Sequence, residues 1–233
     1  MKKRTLAIIL NIETSTKNCS VNIAENGVVL AIKELNNGNY SHAEVLHPFI
    51  EEVLQKAAIT KSQISAIAVS KGPGSYTGLR IGVSAAKGLC FALNCPLISI
   101  DTLTALSYAI SIEKGFIVPM LDARRMEVYA AIFNSENVNV RDTKAEIIDE
   151  GSFAKELEQS KVYFLGDGSE KCKQIITHKN AVFMDEKFPS SREMASLSYL
   201  KYKISDIEDV AYFEPFYLKD FIVIQEKKKK PTF

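Results

Sequence analysis

A glycine-rich turn is the most distinctive candidate for chemistry in this sequence. Gly72, Pro73 and Gly74 precede Ser75 and a helical pattern that extends to about residue 93. Glycines allow a tight turn from a strand into a helix, and Ser75 or Thr77 could cap the first free N–H groups. Because a helix N-terminus attracts anions, this turn is a candidate phosphate site.

The spacing around this turn excludes two catalytic motifs. A Walker A loop closes on Gly-Lys-Ser/Thr, which does not follow Gly74, and a nucleophile elbow needs a glycine where Pro73 stands before Ser75. A second candidate, the segment containing Glu13 and Thr14, offers hydroxyl and N–H groups between two predicted strands. A phosphate-contacting hairpin and an ordinary polar turn both fit that segment.

No metal or redox site is predicted. His42 and His47 are five residues apart on a predicted helix, so they point roughly 140° apart and cannot readily share one ion. The cysteines at positions 19, 90, 95 and 172 form no CxxC pair. We therefore expect no cofactor, and free thiols suit a reducing cytoplasm.

The composition favours a globular protein with one good core or two small ones. The chain has 233 residues, of which 46% are hydrophobic and 24% charged, with a net charge of +1. Four lysines at residues 227–230 are read as a solvated tail, with a tRNA contact as the alternative. Asn11 and Glu13 interrupt the apolar start, which predicts a first strand rather than a signal peptide, and no apolar run predicts a membrane span.

The elements that position the candidate residues follow a repeated order. The first half is predicted as strands at 6–12, 20–24 and 28–34, a helix at 41–58 capped by Ser41, a strand at 64–69, a helix at 75–93 and a strand at 97–100. The second half is predicted as strands at 116–121, 127–133 and 146–148, a helix at 153–157, a strand at 162–165, a helix at 169–176, a strand at 181–183 and a helix at 192–202. Two similar halves indicate an α/β fold with an internal duplication.

One face of the second long helix is lined by small residues. Gly78, Gly82, Ala85, Ala86 and Ala92 recur along it. A glycine inside a helix costs about 1 kcal/mol relative to alanine, so these residues predict the close approach of another backbone. That backbone could belong to a second subunit or to the same chain.

Several motifs, in the same order along the chain, resemble the TsaB (YeaZ) family. They are Asn11-Ile-Glu-Thr-Ser-Thr, Ser41-His-Ala-Glu, Gly72-Pro-Gly-Ser-Tyr-Thr-Gly-Leu-Arg-Ile-Gly, Met120-Leu-Asp-Ala-Arg-Arg-Met-Glu-Val-Tyr, Gly166-Asp-Gly and Glu214-Pro-Phe-Tyr-Leu. The glycine-helix motif is the specific one among them, and the likeness covers nearly the whole chain.

The resemblance implies a two-lobed actin-like fold of the sugar-kinase and heat-shock ATPase superfamily, with a mixed sheet of βββαβαβ order in each lobe. We expect an N-terminal lobe at residues 1–101, a C-terminal lobe at 102–215 and a tail at 216–233 that returns to the first lobe with a basic end. The implied function is that of a non-catalytic, cytoplasmic subunit that works with TsaD and the ATPase TsaE. That complex transfers threonylcarbamoyl to the adenosine next to the tRNA anticodon.

The implied sites are a partner interface and a decayed nucleotide site, with no catalytic residue. The interface is expected to comprise His42, Val45, Leu46, Phe49, Tyr76, Gly78, Leu79, Gly82, Ala85, Ala86 and Leu89. It would join a heterodimer with TsaD, or a homodimer when the chain is alone. The degenerate nucleotide site is expected to comprise Glu13, Thr14, Ser15, Asp122, Arg124, Gly166 and Gly168, because bulky side chains replace glycines at the second-lobe turn.

Two other functions stay open. One is a residual ATPase or kinase-like enzyme, or an M22 glycoprotease-like one, although the His-x-x-x-His metal pair of the catalytic relatives is out of register at His42 and His47. The other is an independent tRNA-binding module that uses the lysines at residues 227–230.

Overall fold

The computed structural model describes residues 6–36, 38 and 41–219, and the lysine run at residues 227–230 lies outside these ranges. Two five-stranded mixed sheets organise the chain. The first sheet has the order β3-β2-β1-β4-β5, formed by β1 (Ile8–Glu13), β2 (Cys19–Glu25), β3 (Val28–Leu35), β4 (Ala66–Gly72) and β5 (Leu97–Asp101). The second has the order β10-β9-β6-β7-β8, formed by β6 (Phe116–Asp122), β7 (Glu127–Asn134), β8 (Asn139–Ile147), β9 (Val162–Leu165) and β10 (Ala181–Met184).

The two sheets share one topology. In each, the first strand pairs antiparallel with the second and parallel with the fourth. This equivalence is what an internal duplication would produce, and the predicted βββαβαβ order of the first half matches the structure.

Two long helices cover one face of the first sheet. They are α1 (His42–Lys56) and α2 (Tyr76–Leu93). Their inward side chains, including Leu46, Val53 and Val83, pack on Leu10 and Val69 of the strands. The helical spacing of these apolar residues explains why both helices were predictable.

Three shorter helices complete the fold: α3 (Thr102–Ser107), α4 (Ala154–Gln159) and α5 (Ser191–Lys203). α3 was not predicted, and it packs Leu103 and Leu106 against the second sheet. The helix predicted at 169–176 is wrong, since only a 3-10 turn, Glu170–Cys172, forms there.

α5 crosses back to the first lobe. Its Met194 packs on Ile9 and Ile98, on the face of the first sheet opposite α1 and α2. The chain after α5 also packs on the first lobe, but on the side of α2: Phe213 joins the core beneath that helix, and the N–H of Phe216 donates to the Lys71 carbonyl at 2.7 Å. The lobe limits at residues 101 and 215 remain a prediction.

Candidate functional site

The turn that follows β1 is the first part of the candidate site. We call residues 14–18 the first turn. Thr14, Ser15, Thr16 and Asn18 in it are buried, although all four are polar. Burial of polar groups requires hydrogen-bond partners, so the surroundings of this turn determine what it can bind.

Two glycines of α2 press against the first turn. A Cβ added to Gly78 would lie 2.1 Å from the Thr14 carbonyl oxygen, and one added to Gly82 would lie 2.2 Å from Thr14 Oγ1. Thr14 Oγ1 also donates to the Gly78 carbonyl at 2.9 Å. The close approach predicted from the small residues is therefore made, at these two positions, within the same chain.

The glycine-rich turn before α2 is closed by the first turn as well. Ser75 N donates to the Ser15 carbonyl at 2.6 Å, and a Cβ on Gly74 would lie 2.4 Å from that oxygen. Ser75 caps α2 as predicted, because its side chain accepts from Gly78 N. His42, at the start of α1, brings Nε2 within 2.6 Å of the Thr16 carbonyl. The residues that begin both helices therefore contact carbonyl groups of the first turn.

A buried carboxyl group supports the first turn from inside. Glu13 Oε1 accepts from Ser15 N at 2.6 Å and from Ser70 Oγ at 2.9 Å. Burial raises the pKa of Glu13, while these hydrogen bonds oppose the rise. These hydrogen bonds tie the carboxyl group to the first turn and to β4.

The second part of the candidate site is the turn between β6 and β7. We call residues 122–127 the second turn. Lys171 reaches into it and donates from Nζ to the carbonyls of Arg125 and Glu127, both at 2.7 Å, and it forms an ion pair with Asp122. An ammonium group of the chain itself therefore occupies the inner side of this turn.

Gly166 and Gly168 pack against the end of β6. Cβ atoms there would lie 2.1 Å from the Met120 carbonyl oxygen and 2.8 Å from the Leu121 carbonyl carbon. Between them, Asp167 accepts from Asp122 N at 3.1 Å, and burial followed by the charge of Asp122 raises the pKa of Asp167. These glycines allow the chain to approach the backbone of β6 closely inside the second lobe.

A groove between α1 and α2 opens on the outer surface of the first lobe. Its volume is about 790 Å³. It is lined by His42, Ala43, Leu46, His47, Tyr76, Thr77, Arg80, Ile81, Ser84, Ala85, Gly88 and Leu89. At one end Arg80 donates from Nη1 to the Tyr76 hydroxyl at 2.6 Å, and the ring of Tyr217 lies 4.9 Å from that of Tyr76.

The residues expected at a partner interface divide between the groove and the interior of the chain. His42, Leu46, Tyr76, Ala85 and Leu89 line the groove, and Val45 is half-buried beside it. The five others are buried within the chain, and their place at an interface stays a prediction: Phe49, Gly78, Leu79, Gly82 and Ala86.

Sequence reasoning missed four residues of α2 that line the groove. Thr77, Ile81, Ser84 and Gly88 recur at helical spacing, on the side of α2 away from the buried Leu79. That periodicity was the signal that could have found them.

The described part of the chain contains neither a metal-binding cluster nor a membrane-spanning helix. Within residues 6–36, 38 and 41–219, no three His, Cys, Asp or Glu side chains converge as a metal site would require. Among the helices of the same ranges, none has the length and apolarity needed to cross a bilayer.

Comparison with known proteins gives consistent results. The sequence model of the family described as "TsaD: tRNA N6-adenosine threonylcarbamoyltransferase" matches residues 37–225. The "tRNA threonylcarbamoyladenosine biosynthesis protein TsaB" of Haemophilus influenzae is 30% identical, covering 91% of this chain and 93% of the relative. The protein of the same name in Bacillus subtilis is 31% identical over 72% of this chain and 74% of its own length.

A solved structure shows the same fold. YeaZ from Pseudomonas aeruginosa superposes with a TM-score of 0.78 at 23% identity, covering 91% of this chain and 100% of that one. The two sheets and this likeness confirm the predicted two-lobed, actin-like α/β fold. Since the family match and the Haemophilus relative both extend over most of the sequence, this chain belongs to the TsaB (YeaZ) family of tRNA threonylcarbamoyladenosine biosynthesis proteins.

Proposed function

We propose that this chain is a non-catalytic subunit that binds TsaD through the groove between α1 and α2. In this proposal TsaE joins the complex, and the complex transfers threonylcarbamoyl to tRNA in the cytoplasm. A second copy of the chain occupies the same groove when TsaD is absent. The observation that carries the proposal is an open, largely apolar groove, in a chain whose first and second turns are closed by its own atoms.

The lining of the groove supports a protein partner. Ile81, Ala85 and Leu89 give it apolar walls, while Tyr76 and Arg80 stand at its end. Protein interfaces combine an apolar centre with tyrosine and arginine residues that contribute much of the binding energy. A helix of the partner could pack between α1 and α2 in this arrangement.

The closed turns support the absence of catalysis. A phosphate would have to displace the Ser15 carbonyl at the glycine-rich turn and Lys171 at the second turn. Phosphate sites of nucleotide-binding proteins instead leave backbone N–H groups free for the ligand. The chain therefore contributes a surface to the complex rather than a reaction centre.

Capture of TsaD by a groove variant tests the proposal. Ala85→Arg places a long charged side chain in the groove and should weaken capture at least tenfold and reduce homodimer formation in sedimentation experiments. Ala154→Arg puts the same side chain at an exposed position of α4 and should leave both unchanged. Normal capture by the Ala85→Arg variant would refute the groove as the docking site.

The enzyme alternative is tested separately. Calorimetric titration of the isolated chain with ATP and magnesium should give no binding heat. Tight binding, or ATP hydrolysis at an enzymatic rate, would favour the residual kinase-like function and reject the non-catalytic one.

A further inference from the structure

The outer side of the second turn presents two adjacent arginines to solvent. Arg124 and Arg125 are exposed, and their backbones have φ values of 73° and 51°. Side chains other than glycine and asparagine seldom adopt this conformation, so two successive arginines are unusual there. Strained backbone of this kind is found more often at functional positions than elsewhere.

The chain holds this turn from below and leaves the arginine side chains unpaired. Asp122 accepts from Arg124 N at 3.0 Å and forms its ion pair with Lys171, while Glu127 forms an ion pair with Lys219. Both carboxylates of the turn are therefore engaged. Across the described part of the chain, no carboxylate forms an ion pair with the guanidinium of Arg124 or Arg125.

We propose that Arg124 and Arg125 bind phosphates of the tRNA backbone when the complex holds its tRNA. The guanidinium group matches two phosphate oxygens at once, and no competing carboxylate has to be displaced. Both arginines of the second turn are exposed, whereas a nucleotide pocket buries most of its ligand's surface. A polyanion with many phosphates suits such an exposed turn, because affinity then comes from neutralised backbone charges.

Lys171 takes the role of a positioning residue in this proposal. Its ammonium group bonds the carbonyls of Arg125 and Glu127 and so fixes the backbone of the turn from which the two exposed arginines project. The inner side is closed to phosphate and the outer side is open to it. This inference rests on the proposed function, which supplies the tRNA.

The test is a variant that removes both charges and fits the backbone better. Arg124→Asn combined with Arg125→Gly places residues that accept positive φ, so the thermal unfolding midpoint should stay equal or rise. The affinity of the chain–TsaD complex for unmodified tRNA should fall about tenfold, and the slope of log affinity against log salt should decrease by about 1 to 2. Lys155→Gln combined with Lys161→Gln removes two exposed charges elsewhere in the lobe and should change neither.

Several outcomes would overturn the proposal. Unchanged tRNA affinity and salt slope in the Asn-Gly variant would reject it, and so would an equal loss in the lysine control. Weaker TsaD capture with normal tRNA binding would assign the arginines to a protein contact. A further outcome is that ATP or inorganic phosphate competes with tRNA for the wild-type complex but not for the variant. That result would assign the two arginines to a free phosphate ligand. A wild-type chain that captures no TsaD would refute the proposed function instead, and tRNA titration of the chain alone would still test the arginines.

Discussion

The first and second turns occupy equivalent places in the two sheets, since each follows the first strand of its lobe. The first turn is buried under α1 and α2, and the second carries two exposed arginines. The difference follows from what comes after the fourth strand. The first lobe has the 18-residue helix α2 there, whereas the second has only the three-residue turn Glu170–Cys172.

The long, glycine-lined helix α2 buries the first turn, whereas the short turn Glu170–Cys172 leaves the second turn at the surface. In the first lobe the shape of the groove therefore depends on how the first turn packs beneath α2. In the second lobe the turn is held instead by one side chain, Lys171, which bonds two of its carbonyls. The two turns should consequently respond differently to mutation, with large effects on folding at the first and small, local effects at the second.

The largest expected effect is at Gly78. Gly78→Ala places a methyl group within 2.1 Å of the Thr14 carbonyl oxygen, a backbone atom that cannot rotate away. We expect a loss of about 1 to 3 kcal/mol or more in the free energy of unfolding, because overpacking a filled core forces the backbone to move. Urea denaturation measures this loss, and a stability within about 0.5 kcal/mol of wild type would show that the first turn is not tightly packed.

Glu13 should make the stability of the first turn depend on pH. Burial raises its pKa in the folded state above the ordinary value of 4.5, so the native chain binds this proton more tightly than the unfolded chain does. Below that value Glu13 is protonated in both the folded and the unfolded state, so its contribution to the free energy of unfolding is fully present. As the pH rises, the unfolded state ionises first and the free energy of unfolding falls, until the folded-state pKa is passed.

Glu13→Gln isolates this contribution. The variant stays neutral, so its stability relative to wild type should increase as the pH rises above 4.5, by about 1.4 kcal/mol for each unit by which the pKa is raised. Denaturation curves at a series of pH values measure the difference. Asp101, Asp167 and Glu193 also have raised pKa values, but they are common to both proteins and cancel. Parallel stability curves for the two proteins would contradict the prediction.

Lys171→Met should affect the second turn alone. The change removes two hydrogen bonds to carbonyls and the ion pair with Asp122, all near the surface. We expect a loss of about 1 kcal/mol in the free energy of unfolding, with faster amide hydrogen exchange at Ala123 and Glu127, whose N–H groups donate within the turn. Faster exchange at Thr14 as well would show that the two turns are coupled, contrary to the local effect that we expect at the second turn.

Much of the fold could be predicted from local patterns, while the neighbours of the site could not. The periodicity of α1 and α2 and the strand order of the first half were readable, but six-residue α3 is too short to show a period. Glycines at 78 and 82 signalled a close approach without indicating its partner, which proved to be Thr14. Lys171 gave no signal, because its role depends on Asp122, which is distant in the sequence and adjacent only after folding.

The smallest expected effect is at Gly88, and it separates two reasons for a glycine in one helix. Gly88 is exposed on the groove side of α2, and an added Cβ would meet no atom within 4 Å. Gly88→Ala should therefore raise the free energy of unfolding by about 0.5 to 1 kcal/mol, the difference in helix propensity between the two residues. Urea denaturation beside Gly78→Ala provides the matched comparison. If Gly88→Ala stabilises the chain and also weakens TsaD capture, this glycine is present for a partner's close approach. A loss of stability would instead mean that α2 tolerates no added methyl group even where the structure leaves room.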